Sequence, residues 1–424
     1  MKNVLLGIML FGFVLSLYAG GTQEADEGKK VELRFVSSQI GVHPEAPWLE
    51  KTIENFNKMH EGTINVLFDG VAGYDAAWMK ISSDAATGDT PNIFMLAAQP
   101  KELEIMSEAD AVVDLFPLFE KEPEYKSRLN DDASVKAYTV DGKLMGLPYA
   151  KAYIGIFYNK EHFADAGISV FPKTWTEFGN ACNKLKSAGH TPLALMTQPS
   201  AWTAQLIMSA YIGTTDKGRS WLNTPSGEKN FVDQVFIDGV TKIQEYYFNY
   251  TTPDAIGSEY GVAANNFLQG KASMIANGPW MIGDFSNPDI APEGFADKVA
   301  YEVFPGNVVI SFENISYAVG KATPEEEAAS WEFIKYLMDP SVYGEFLTIS
   351  GNAPTFKTDM SLIIMDRIKE EFTPKAVNAA ANFPHFLSVT TQEVNDSLEQ
   401  TMPALASGDL SPLDFAQECQ KYME

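Results

Sequence analysis

The stretch Asp141 to Lys160, DGKLMGLPYAKAYIGIFYNK, sets how the chain is organised. Asp141-Gly142 is a hairpin-type turn, with Val135–Val140 and Lys143–Leu147 as its expected strands. Pro148 follows, and Ile154 to Tyr158 then reads as an apolar strand. Upstream, Val31 to Val36 alternates apolar and polar residues and predicts a first strand. Trp48, Leu49, Ile53 and Phe56 mark an amphipathic helix, and Ile64 to Phe68 a second strand. Tyr74, Trp78, Ile81 and Ala85 mark the next helix, before a third strand at Asn92 to Leu96. This order argues for an α/β sheet with largely parallel pairing. The pattern restarts after Pro148. Thr174 and Glu177 have capping-box spacing for a helix that runs to about Ser187 and stops at Gly189, and His190 to Met196 is a strand. Pro324 to Met338 and Ser341 to Ile349 are helices broken at Asp339-Pro340. No glycine- or serine-rich linker divides the halves, so the chain is expected to cross between two α/β lobes as strands.

Length and charge narrow the function classes. A chain of 424 residues is long enough for two lobes of ordinary size. A net charge of −25 repels nucleic acid and sets those partners aside. The carboxylates are scattered rather than clustered, which favours a solvated acidic surface over a calcium or basic-ligand site. Lys2 and the apolar run Val4 to Tyr18 form a targeting segment, with Leu17 and Ala19 at the −3 and −1 positions of a cleavage site before Gly20. Residues 1–19 are therefore expected to be a signal peptide, cleaved near Ala19 or retained as an anchor, and 20–29 a disordered polar leader. No cysteine follows the apolar run to accept a lipid, so a freely diffusing periplasmic protein is expected. Cys182 and Cys419 each fall on an apolar helix face; two buried thiols are the expectation, with a disulfide as the alternative for an exported chain.

The segment Phe267 to Trp280, FLQGKASMIANGPW, carries the chemistry. Ala272 to Ala276 is strand-like, and Asn277-Gly278-Pro279 forces a turn that presents Trp280 just past a strand end. An aromatic plate on a rigid turn suits the apolar face of a sugar ring. HExxH, GxSxG, phosphate-loop and GxGxxG motifs are missing. The five histidines lie too far apart for a local metal pair, and Asp131-Asp132 reads as solvated loop rather than acid and base. No cofactor or metal is expected.

Several segments resemble, in order, the extracellular solute-binding proteins of carbohydrate ABC importers, the maltose-binding-protein-like family. They are Thr87 to Asn92, Asp141 to Tyr149, Phe157 to Lys160 with Pro172 to Trp175, the Trp280 segment and the helix Ala328 to Met338. The resemblance implies a type II periplasmic-binding-protein fold, α/β, with two lobes, a hinge and a ligand cleft between them. It implies crossings near Ala150–Ile156, Val308–Ser316 and Asn352–Phe356, an N-terminal lobe of 30–150 plus 313–353, and a C-terminal lobe of 151–312 plus 354–424. Trp280 matches a sugar-stacking position, and Trp202 falls within a residue of a cleft aromatic, with helix-start packing as its competing role. Gln99 matches a position that often bonds sugar hydroxyls, and Leu96 replaces an aromatic of the maltose-binding member. Polar partners are expected from strand ends and crossings: Ser37, Ser38 and Gln39, then Lys151 and Tyr153, then Glu313 and Asn314. For each, a solvent or turn hydrogen bond is the alternative. Asp69 and Tyr74 are further candidates, and Phe383, His385 and Phe386 are aromatic additions. The function implied is capture of a sugar or oligosaccharide by a monomer that delivers it to ABC permease subunits by hinge closure. A receptor-coupled sugar sensor and a secreted glycoside hydrolase are the alternatives.

Overall fold

The computed structural model describes residues 30–129, 132–363 and 367–423. The expected signal peptide, the leader and Asp131 lie outside the described residues. Ten strands share one mixed sheet in the order β2-β1-β3-β10-β6-β8-β7, with β9 and β11 on β6 and β12 on β10. These are β1 (Val31–Ser37), β2 (Ile64–Gly70), β3 (Ile93–Met95), β6 (Leu147–Asn159), β7 (Thr191–Leu193), β8 (Ala272–Asn277), β9 (Val299–Glu302), β10 (Val308–Val319), β11 (Ala353–Pro354) and β12 (Ala381–Phe383). The hairpin β4 (Thr139–Val140) and β5 (Lys143–Leu144) stands apart.

β1 pairs in parallel with β2 and β3, joined through the helices Ala46–Met59 and Tyr74–Ala86. β7 with β8 and β12 with β10 are also parallel, but the expected parallel pairing does not hold among the strands that carry the crossings. β10 runs antiparallel to both β3 and β6, and β6 runs antiparallel to β8 and β9. The geometry requires it: a chain that leaves one half along β6 and returns beside it along β10 must reverse direction. β6 is longer than its apolar run, because Leu147 and Pro148 already pair with Tyr317 and Ser316. That early departure also corrects the expected strand 135–140. Past one further bond, Met145 N to Tyr138 O at 2.9 Å, the following chain turns to β10, so Asp132–Ala137 is helical and the paired residues are Thr139 and Val140 with Leu144 and Lys143. Asp141 and Gly142 take φ of 48° and 79°, the double left-handed turn that suits a two-residue hairpin.

The apolar core divides where the crossings lie. One cluster draws its buried members from 33–150 and 315–356. Two others draw theirs from 154–310 and 368–419. β6 passes from the first core to the second between Ala150 and Ile154, and β10 returns between Ile310 and Ile315. The capping box of helix Trp175–Ser187 has both its arms, Thr174 Oγ1 accepting from Glu177 N and Glu177 Oε2 from Thr174 N. Cys182 and Cys419 are free and buried on separate helices, and burial raises both thiols.

Candidate functional site

β8 ends at Asn277, whose Nδ2 donates to Tyr260 Oη at 2.9 Å and whose Oδ1 accepts from Gly278 N at 2.9 Å. The buried side chain thus fixes the turn that follows. Pro279–Met281 is a single 3-10 turn, and the Trp280 indole lies back over Gly278, where a β-carbon would overlap the ring. The ring is half-buried rather than thrown clear. It meets Trp202 at 6.1 Å between centroids and Phe312 at 6.1 Å. Trp202 opens the helix Trp202–Gly213 and meets Phe312 edge-on at 6.0 Å and His385 at 5.1 Å. Phe312 and His385 close the group at 4.8 Å. Four rings from four separate segments therefore form one aromatic surface. His385 is buried, its Nδ1 has no hydrogen-bond partner among the described residues, and burial lowers its pKa to about 3, so it is neutral at physiological pH.

Phe383 and Phe386 do not join that surface. Both are fully buried in the core, Phe383 filling the space left by Gly213 and Phe386 stacking on Phe236 at 5.5 Å. Adjacent chain positions separate here because His385 takes an extended backbone (φ −78°, ψ 161°) between a strand and a 3-10 turn.

The three crossings stand abreast. Lys151 in the middle of β6 is opposite Glu313 of β10 on one side and Ala353 of β11 on the other. Lys151 Nζ approaches Glu313 Oε1 at 3.6 Å. Tyr153 is half-buried opposite Ser311. Asn314 lies at a register shift of β10, and its Nδ2 donates to Asn352 Oδ1 at 3.2 Å, tying the second crossing to the third. Lys151, Tyr153, Glu313 and Asn314 are thus brought together, next to Phe312 of the aromatic surface.

The other wall is built at the C-terminal ends of β1 and β3. Ser38 is buried with Oγ 3.4 Å from Met95 Sδ. Gln99 is a half-buried helix cap residue whose side chain does not cap. Gln39, expected among the ligand contacts, is instead spent on the framework. It is wholly buried, its Oε1 accepts from Tyr317 Oη at 2.8 Å and Ser37 Oγ at 3.0 Å, and its Nε2 donates to Glu45. Asp69 is likewise committed elsewhere, to a charge cluster with Lys80 at 3.4 Å and Arg34 at 3.9 Å. Leu96 is fully buried, so an aromatic surface is absent from that position.

Two residues beside the candidate contacts escaped the sequence reading. Phe312 had only the alternation of β10 to mark it. Glu102 sits three residues after the cap residue Gln99, the spacing of a capping box, yet it reaches Ala97 N at 3.1 Å and accepts from Tyr74 Oη at 2.6 Å. The two halves touch at the rim of the gap. A β-carbon on Gly283 would stand 2.9 Å from Pro44, and Lys101 Nζ lies 3.7 Å from Asp396 Oδ2.

Two α/β lobes with separate cores, joined by three strands abreast and lined by rings and polar groups at the crossing, define a type II periplasmic binding protein. The chain belongs to the bacterial extracellular solute-binding protein family, whose profile matches residues 51–370. It is 23% identical over 375 residues to the multiple sugar-binding protein of Streptococcus mutans, covering 84% of this chain and 83% of that one. It is also 23% identical over 229 residues to an sn-glycerol-3-phosphate-binding periplasmic protein of Rhizobium meliloti, half of each chain. Among solved structures, a chitin oligosaccharide binding protein superposes with a TM-score of 0.84 at 25% identity, over 93% of this chain and 98% of that one. A maltose-bound binding protein of T. maritima shares the fold, with a TM-score of 0.75 at 20% identity over 93% and 99% of the two chains. These relatives are binding proteins. Among the described residues no helix is long and apolar enough to cross a membrane.

Proposed function

We propose that this protein captures a sugar or oligosaccharide between its lobes and presents it to the permease of an ABC importer. The observation that carries the reading is the surface formed by Trp280, Trp202, Phe312 and His385 beside the crossing strands. The apolar face of a sugar stacks on such rings for about 0.5–1.5 kcal/mol beyond the area buried. Its hydroxyls are then met by Gln99 and Ser38 from one lobe and by Lys151, Tyr153, Glu313 and Asn314 at the crossings. A ligand that touches both lobes favours the closed form by its greater affinity for it. The separate cores support the division of 30–150 plus 313–353 from 151–312 plus 354–424, except that Phe356 packs in the first core. The protein works as a monomer, without cofactor or catalysis, after export and cleavage near Ala19.

The experiment is calorimetry with maltotriose, raffinose and N,N′-diacetylchitobiose, with analysis of the recovered sugar. Binding with intact sugar and a raised melting temperature is the expected result. Turnover by the pure protein would establish the hydrolase reading instead. Trp280→Ala should weaken the best sugar about tenfold or more, with melting nearly unchanged. Unchanged affinity would remove Trp280 from the site.

A further inference from the structure

Glu102 is buried to 4% exposure at the end of the sheet where β2 and β3 deliver their loops. Tyr74 opens the helix after β2, Ala97 follows β3, and both donate to one oxygen, Oε2. Oε1 has no hydrogen-bond partner among the described residues. Oε1 is not among the fully buried unpartnered side-chain atoms, so it keeps a solvent-accessible face that a ligand can reach. The loops that hold it border the gap. The next residue back, Lys101, reaches Asp396 of the opposite lobe, and Asp75, next to Tyr74, feels the charge of Glu259 from the opposite lobe. Glu259 in turn precedes Tyr260, the residue that fixes Asn277 before Trp280.

The charges around Glu102 are mostly negative. Its own helix offers Lys101, which is engaged by Asp396. Helix Tyr74–Ala86 offers Tyr74 and Asp75, Tyr138 stands close by, and Glu313 beyond Tyr138 is matched by Lys151. Burial raises the Glu102 pKa to about 8, the bonds from Tyr74 and Ala97 oppose the rise, and the Asp75 charge adds to it. The group therefore holds a proton at neutral pH, and because Oε2 accepts from two donors the proton belongs on Oε1.

We infer that Glu102 is a ligand-binding acid whose Oε1–H donates to an oxygen of an uncharged sugar, and that the carboxylates around it exclude anionic ligands such as glycerol or sugar phosphates. The assignment rests on the sugar-binding reading above. It separates this chain from its glycerol-phosphate-binding relatives on chemistry, since an anion here meets Asp75 and Glu259.

The test uses the full mature chain, the three neutral sugars above and sn-glycerol 3-phosphate, by calorimetry at pH 6.5 and pH 9, with a melting curve for each variant. Glu102→Ala should weaken the best neutral sugar about tenfold or more. Glu102→Gln, which keeps a donor, should stay within about threefold at pH 6.5. The native protein should lose affinity several-fold on going to pH 9, as the donor ionises, and Glu102→Gln should not. Glycerol phosphate should give no binding heat. If Glu102→Ala does not fold, the contrast between the native and Glu102→Gln pH profiles decides. Unchanged affinity in a folded Glu102→Ala, parallel pH profiles, or tight glycerol phosphate binding would each overturn the inference while leaving sugar binding intact. Failure of all three neutral sugars would remove the sugar-binding reading and this assignment with it.

Discussion

Gly278 has no side chain, and the indole of Trp280 uses that space. Its backbone, at φ −107° and ψ −178°, is one any residue adopts, so the demand for glycine comes from the ring alone. Gly278→Ala should therefore displace the indole without straining the turn. We expect sugar affinity to fall about fivefold, roughly 1 kcal/mol, with little change in melting temperature. Calorimetry with the sugar that binds best checks this, and tryptophan emission should shift in the same variant. Retained affinity with unshifted emission would mean the ring position is not what binds. At this scale the sequence was readable where the cause is local. Asn277-Gly278-Pro279 is a turn by its own chemistry, and Trp280 follows from it. Gln39 was misread because its partners are distant in the chain: Tyr317 claims its amide oxygen from 278 positions away. Glu102 was missed for the same kind of reason. Nothing in Gln-Pro-Lys-Glu tells that the carboxyl will be buried under Tyr74.

Elements divide along the same line between local and distant causes. Caps and helix faces were legible, and the Thr174 capping box forms with both arms in place. Strand partners were not, because pairing depends on which neighbour wins. β5 loses its extension to β10, and the segment before β4 coils into a helix. β6 is the element on which the architecture turns, since it carries β10 and β11 on one half and β8 and β9 on the other. Gly155 lies just past the crossing, where a β-carbon would stand 2.5 Å from the Glu302 carbonyl and from Tyr301 Oη. A backbone atom cannot swing aside as a side chain can. Gly155→Ala should push β9 from β6 and cost about 1–3 kcal/mol, read as a lower urea midpoint. An unchanged midpoint would show that the β6–β9 pairing is slack.

The whole molecule behaves as two cores on a three-stranded strap, so its working motion is set by what the lobes gain and lose when they meet. Across the rim one contact attracts and one repels. Lys101 meets Asp396 at 3.7 Å, while at Asp75 lost hydration, and after it the charge of Glu259, raises the pKa. The attractive pair is 40% and 63% exposed, which limits it to about 0.2–1 kcal/mol. Neither rim charge pair is large enough to hold the lobes shut; nearer the strap, the buried Lys369 of one lobe donates to the Thr348 and Ile349 carbonyls of the other, so a bound ligand adds to contacts already in place. A small change at the rim should then appear in affinity, because closure free energy is part of the binding free energy. Asp396→Lys replaces the attraction with repulsion without altering a ring of the aromatic surface. It should weaken sugar binding about two- to fivefold at low salt and enlarge the radius of gyration of the ligand-free protein in small-angle scattering. At 0.5 M salt both effects should shrink, since exposed charges are screened within a few ångströms there. A variant with unchanged affinity and unchanged radius at low salt would mean that the rim pair plays no part in closure, leaving the ligand contacts and the strap to set the equilibrium.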